Sequence, residues 1–276
     1  MIIDWNEVWK KQMNRQRRSN FGRPCGEYWK DDESARKYWL GKFTNRAEQV
    51  EKSLAELPIT PESRILDIGS GPGVLAIPLA ERVAHVTAVE PSQGMMNVMC
   101  DLRSEMKVTN LKCVQKTWDE IDIESDLDPP YDLVLASKSL GMFDIKDAIR
   151  KMEAASSKHI HIYWFAGQPT WDLMYQTLWP QIHQTEYQAG PKCDVLFNVL
   201  YQMGIYPQIR SYPSEFRERF SSLNEAVDYF VPKINLKNEW QKPILEKFLD
   251  QELVYHDNHL ILQYKTNTMH IWWEKA

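Results

Sequence analysis

The chain has 276 residues, 43% hydrophobic and 26% charged, enough for one large domain or one and a half small ones with a packed core. Thirty-three basic against 38 acidic residues leave a net charge of −5, which argues against a general polyanion binder. No apolar run is long enough for a membrane span, and the first residues lack the pattern of a signal peptide. Cys25, Cys100, Cys113 and Cys193 are scattered without a CxxC pair, which speaks against a disulfide framework or thiolate zinc site. The expectation is a cytoplasmic protein without a membrane partner.

The first sixty residues read as helical. Asp4 and Glu7 have capping-box spacing, and Trp5, Val8, Trp9 and Met13 share one helical face. A loop with Gly22, Pro24 and Gly26 precedes a second helix, capped by Asp31 or Asp32. Its stripe is Ala35, Trp39, Phe43, Ala47, Val50, Leu54 and Leu57, and Pro58 ends it. From Ser63 short strands alternate with helices. Strands are expected at Arg64–Ile68, His85–Glu90, Leu111–Thr117, Tyr131–Ala136 and His159–Phe165, with helices at Val74–Arg82, Ser92–Glu105 and Asp144–Ala155. Runs such as LVLA and ILDI are apolar on both faces, as buried parallel strands require, so the alternation predicts a doubly wound α/β sheet.

Beyond Phe165, Asp172–His183, Asp194–Met203, Leu223–Phe230 and Glu239–Leu253 look helical. A strand within Tyr206–Phe220 is interrupted by Pro213, and His259–Lys265 with Met269–Glu274 reads as a hairpin around Thr266–Thr268. The division expected is a helical cap over 1–62 and an α/β domain over 63–276. Within that domain, 63–166 is the cofactor-binding half, and 167–276 holds a helical insert and the last strands.

The sharpest feature is Asp67-Ile68-Gly69-Ser70-Gly71-Pro72-Gly73, placed between a strand and a helix. Glycine lets the backbone turn sharply and approach a ligand without a Cβ in the way. The spacing is neither the dinucleotide pattern, whose sixth position is Val74 here, nor a P-loop, since no GK[ST] follows. The second strand ends in Glu90-Pro91-Ser92. An acid there can accept both ribose hydroxyls and would repel a 2′-phosphate.

DIGSGPG followed by VEPS resembles the class I S-adenosylmethionine-dependent methyltransferase superfamily, over roughly 63–165. The resemblance implies a Rossmann-like sheet with a C-terminal antiparallel hairpin and S-adenosylmethionine as cofactor, S-adenosylhomocysteine being the product. It also implies a cofactor loop at Asp67, Gly69, Ser70, Gly71 and Gly73, and a ribose site at Glu90, Pro91 and Ser92. The family's adenine contact falls at Thr117 and Trp118, where its usual acid and small residue are missing. Trp118 is expected either to lie against the adenine or to sit in the core at a strand end. The fourth strand ends at Ser137 and Lys138, where the family keeps its catalytic motif. The [ND]PP[FYW] string of amino-methylating members is lacking.

Methyl transfer needs a nucleophile in line with the sulfonium, and for a hydroxyl or protonated amine also a base. Ser137 lies near the sulfonium by position, and Lys138 is a candidate contact to an anionic substrate, or else a solvated lysine. His161 shares a strand face with His159 and Tyr163 and is a base candidate, with a buried core pair as the alternative. The HxxH spacing at His256 and His259 has no further ligands beside it, so no metal is expected. Tyr28, Trp29, Trp164 and Phe165 are expected to form an aromatic acceptor pocket where helical lids meet, or else to glue helices onto the sheet. Residues 10–23 carry six positive charges and no acid, and 119–132 seven acids and no base. The function expected is methyl transfer to a small molecule. The alternatives are a methyltransferase of protein side chains or RNA and a noncatalytic module that binds the cofactor.

Overall fold

The computed structural model of the chain describes residues 3–19 and 32–275, with the backbone alone for residue 34 and residues 41–49. The strands are β1 (Arg64–Ile68), β2 (His85–Val89), β3 (Leu111–Val114), β4 (Tyr131–Ser137), β5 (Ser156–Phe165), β6 (Gln208–Phe220), β7 (Val254–His256) and β8 (His259–Glu274). They form one sheet in the order β3-β2-β1-β4-β5-β8-β6, with β7 pairing the start of β8. β1 to β5 are parallel, and β8 lies antiparallel between β5 and β6.

Helices cover both faces because the central strands are apolar on both sides. Leu66 and Ile68 of β1 join the core under α1 (Trp5–Ser19), α6 (Ile145–Ala155) and α8 (Cys193–Gln202). Ile65 joins the opposite core under α2 (Asp32–Ala55), α3 (Ala76–Ala80) and α4 (Gln93–Glu105). α6 buries Ile145, Ala148, Ile149 and Met152, the spacing of one helical face. α1 starts where Asp4 Oδ1 accepts from the Glu7 backbone N–H at 3.2 Å. It docks through Trp9, fully buried, whose indole donates to the Met142 carbonyl at 2.9 Å. The acidic run is used locally: Asp122 caps the short helix α5 (Ile123–Asp126), and Asp126 and Asp128 pair with Lys116 and Lys112. Among the described residues no helix is long and apolar enough to cross a membrane.

A third core lies beyond the sheet faces. It joins α7 (Thr170–His183), α9 (Leu223–Lys233) and α10 (Lys242–Glu252) to the outer halves of β6 and β8 through Trp179, Phe216, Phe230, Leu245 and Tyr264.

Two expectations are corrected here. No hairpin turns at Thr266–Thr268: β8 runs unbroken for 16 residues, and its antiparallel partner is β6. Thr266 and Thr268 are buried, and the Thr268 hydroxyl lies 2.9 Å from that of Ser214. β-branched threonines fit a pleated strand. The turn falls instead at Asp257 and Asn258, at φ +48° and +60°, between the paired His256 and His259. A two-residue hairpin loop needs two such positive values, which Asp and Asn tolerate. The HxxH spacing is thus the span of a turn. Nor does Pro213 interrupt β6, because β6 is an edge strand and loses no ladder bond on its open side.

Candidate active site

The site is built at the carboxyl ends of β1, β2 and β4. Gly69, Gly71 and Gly73 all take positive φ, at +68°, +58° and +89°. The loop is fastened to β2, since the N–H groups of Gly69 and Ser70 both donate to the Val89 carbonyl, at 2.7 and 3.1 Å. A Cβ on Gly69 would overlap Ser139, whose hydroxyl donates to the Ile68 carbonyl at 2.6 Å. A Cβ on Gly73 would press on Ile77 and Met99, so this glycine lets α3 and α4 pack closely. A Cβ on Gly71 would meet nothing within 4 Å, because Gly71 faces open space.

Glu90 spans the loop and the start of α4. Its Oε2 accepts from the Gly71 N–H and its Oε1 from the Ser92 N–H, each at 2.9 Å. One lone pair on each oxygen remains for hydroxyl donors. Burial raises its pKa against the lowering effect of the two backbone hydrogen bonds. Pro91 is exposed beside it, and Ser92 is the residue from which α4 starts. Asp67, 2% exposed, leaves Oδ2 without a hydrogen-bond partner. Burial first, and the Glu90 charge second, push its carboxyl up to about 7. A buried polar atom without a partner is rare in a folded protein, and beside an open glycine loop a bound group can supply one. The two acids and the open glycine thus fit a ligand that brings a cationic centre and hydroxyl donors, as S-adenosylmethionine does.

The remaining candidates fall out differently. The Thr117 hydroxyl and backbone N–H are bound in a capping box with Glu120, which starts a 3-10 turn at Trp118–Glu120. Trp118 is corrected to a core residue: it is 4% exposed, and its indole donates to the Ala148 carbonyl at 3.1 Å, so its ring is packed into the α6 side. Ser137 stands half-buried at the end of β4. Lys138 takes φ +57°, and its backbone N–H donates to the Tyr163 carbonyl at 2.8 Å. Its ammonium lies 4.4 Å from the Phe216 ring centre, a cation–π contact.

His161 is corrected from base candidate to core residue. It lies four residues before the end of β5 and is 2% exposed, with Nδ1 2.9 Å from His270 Nε2. His270 Nδ1 lies 3.4 Å from Glu56, a carboxylate that Arg210 also holds at 2.8 Å. Burial lowers His161 to about 3 and His270 to about 4.

Tyr28 and Trp29 lie outside the described residues. Trp164 donates to the Pro191 carbonyl at 3.0 Å and packs on Trp9, while Phe165 meets Trp171 edge-on and lies 5.6 Å from the Lys192 ammonium. Both tie helices to the end of β5. The space beside them is a cavity of about 710 Å³ between α1, the end of β5 and residues 186–194, and Trp164 and Phe165 are not among its lining. Its walls are polar, with Gln12, Arg15, Gln168, Gln176, Glu186 and Asp194 among them. Sequence reasoning placed only Arg15 in a functional group, the basic arm. Side chains at 12, 168, 176 and 186 share no local pattern, so only the tertiary fold collects them.

The sheet order, with a glycine cradle after β1 and an acid after β2, is a Rossmann-like arrangement. Residues 65–158 match the family model described as a methyltransferase domain. The YcgJ protein of Bacillus subtilis superposes with a TM-score of 0.57 at 13% identity, over 84% of this chain and 99% of that one, a likeness of fold. An uncharacterized protein of Haemophilus influenzae is 27% identical over 224 residues, 80% of this chain and 79% of its own length. The ribosomal RNA small subunit methyltransferase G of Shigella flexneri is 28% identical over 95 residues, 34% of this chain and 44% of that enzyme. Over residues 65–158 the chain therefore carries a methyltransferase domain, of the kind that uses S-adenosylmethionine.

Proposed function

We propose that the protein transfers the methyl group of S-adenosylmethionine to a small molecule held where β4 and β5 end. The observation that carries this reading is the neighbourhood of two features. One is a cradle with an unpartnered buried Asp67 and an open Gly71; the other is a cavity of small-molecule size that begins at Ala166, directly after β5. When bound, the cofactor supplies an electrophilic methyl on a sulfonium. The chain's part is to hold and to orient. Gly71 admits the ligand backbone-close, Glu90 offers its free lone pairs to hydroxyls, and Asp67 supplies charge at the buried end. β4 separates β1 from β5, so the strand that bears the cradle and the strand that leads into the cavity run two strand spacings apart, roughly 10 Å. That span suits a cofactor in the cradle and an acceptor in the cavity. Cys100, Cys113 and Cys193 are free thiols, in keeping with a cytoplasmic setting.

Calorimetry with S-adenosylmethionine, S-adenosylhomocysteine and NAD tests the reading. Micromolar binding of the first two, lost in Glu90→Ala, is expected. Binding of NAD instead would overturn it. Methyl incorporation into RNA rather than into a metabolite fraction, with an affinity that falls steeply with salt, would move the acceptor to nucleic acid.

A further inference from the structure

The cavity has a specific chemical character. Gln12 on α1, Gln168 after β5 and Gln176 on α7 line it, and none of their side-chain amides has a hydrogen-bond partner among the described residues. Each amide presents both donors and an acceptor. Its charged groups carry both signs. Arg15 and Asp194 have no ion-pair partner among the described residues, and Glu186 accepts only from Gln188, at 3.3 Å. At the wall, Lys192 is already matched by Asp172 at 2.7 Å, and Tyr187 donates to the other oxygen of that carboxylate at 3.0 Å. This buried pair is a fixed, neutral piece of the wall, so the unmatched charges left are Arg15 on one side and Glu186 and Asp194 on the other.

An apolar acceptor would cover these amides and charges without offering them a hydrogen-bond or ion-pair partner in place of water. A purely anionic acceptor would face Glu186 and Asp194, and a purely cationic one Arg15. We propose that the cavity is the acceptor pocket and takes a small zwitterionic molecule, of amino-acid or aminocarboxylate type. Its carboxylate pairs with Arg15, its ammonium with Glu186 and Asp194, and its remaining polar atoms with the glutamine amides. The inference rests on the methyl-transfer reading only for the word acceptor; the ligand class follows from the lining alone.

The test measures binding without turnover. Ligand-observed NMR and thermal shift with the full-length protein use glycine, L-glutamine and glycyl-L-glutamine as zwitterions. Their N-acetyl forms lack the ammonium and their amides lack the carboxylate. At least one zwitterion is expected to bind at least tenfold more tightly than its two single-charge derivatives. Arg15→Ala should remove the preference for a free carboxylate, and Glu186→Gln with Asp194→Asn the preference for a free ammonium. All three residues are exposed, so the variants should keep the fold, and Lys11→Ala, exposed on α1 but outside the cavity, should bind as the parent does. No zwitterion bound, equal binding of the derivatives, or an unchanged preference in the variants overturns the proposal. Cofactor calorimetry on the same samples separates the outcomes: cofactor binding with no zwitterion bound sinks the ligand class alone, and the reverse sinks the methyl-transfer reading alone.

Discussion

Gly69 and Gly71 hold similar positive φ values but answer to different constraints. At Gly69 the backbone strain of a side chain adds to an overlap with Ser139; at Gly71 there is room, and only the strain remains. Gly71→Ala should therefore cost about 1–2 kcal/mol of stability, and Gly69→Ala clearly more, by chemical denaturation. Calorimetry should show cofactor affinity reduced in both, at Gly71 because the methyl enters the ligand's space. Asp67 makes a second prediction. With its carboxyl pushed up to about 7, it is about half protonated at neutral pH, and a cationic ligand favours the ionised form. Cofactor binding at pH 7 should release protons, seen as heats that vary with the ionisation enthalpy of the buffer, and Asp67→Asn should abolish that variation. The loop was legible in the sequence because its constraint is local: glycine spacing, a strand before it and an acid two residues ahead. The surroundings of Trp118 were not, because a tryptophan at a strand end looks the same whether its indole faces a ligand or the Ala148 carbonyl of a distant helix.

β5 and β8 meet along a row in which His161, His270 and Trp272 share one face. Neutral His270 donates from Nδ1 toward Glu56 and accepts at Nε2 from His161, which leaves His161 Nε2 bare and buried. Both folded pKa values lie below the unfolded value near 6.5, so the unfolded chain takes up protons first as pH falls. This contribution to stability is complete above pH 6.5 and is lost progressively from there toward pH 4 and 3. Each histidine adds a slope of up to about 1.4 kcal/mol per pH unit. Denaturant midpoints measured between pH 7 and 5 should fall, and His161→Gln, which can still donate to His270, should flatten the curve. The strand alternation that put His161 and Tyr163 on one face was readable. That the strand's partner would bring a third ring, and that this face lay in the interior, depended on β8, a strand the sequence seemed to break at Thr266. At the other end of the chain, Trp9→Ala should cost about 3–5 kcal/mol, since it empties a fully buried site and strands the Met142 carbonyl. A denaturation curve checks it.

The described residues form three cores, two against the faces of the sheet and one among α7, α9 and α10. The first two were foreseeable from alternating strands and helices. The third was not, because its helices follow no repeated pattern and its walls are the outer ends of β6 and β8. Phe230→Ala, a truncation of a residue 1% exposed at the centre of this third core, should lower protection from hydrogen exchange in α7, α9 and α10 first, while β1, β2 and β4 keep theirs. Uniform loss of protection would mean the cores unfold as one. β8 belongs to both regions: residues 268–272 are clamped between β5 and β6, and residues 260–266 carry Leu262 and Tyr264 into the third core. Sixteen extended residues make a beam of roughly 50 Å, braced by a partner strand along most of its length. One strand thus carries both the lobe that bears α7, a wall of the cavity, and the sheet that bears the cradle. The facing wall, α1, is fastened separately: by Trp9 in the core, by the Arg17 contact to the Gly141 carbonyl, and by Ser19, which exchanges hydrogen bonds with the backbone of Gln188 in the opposite wall.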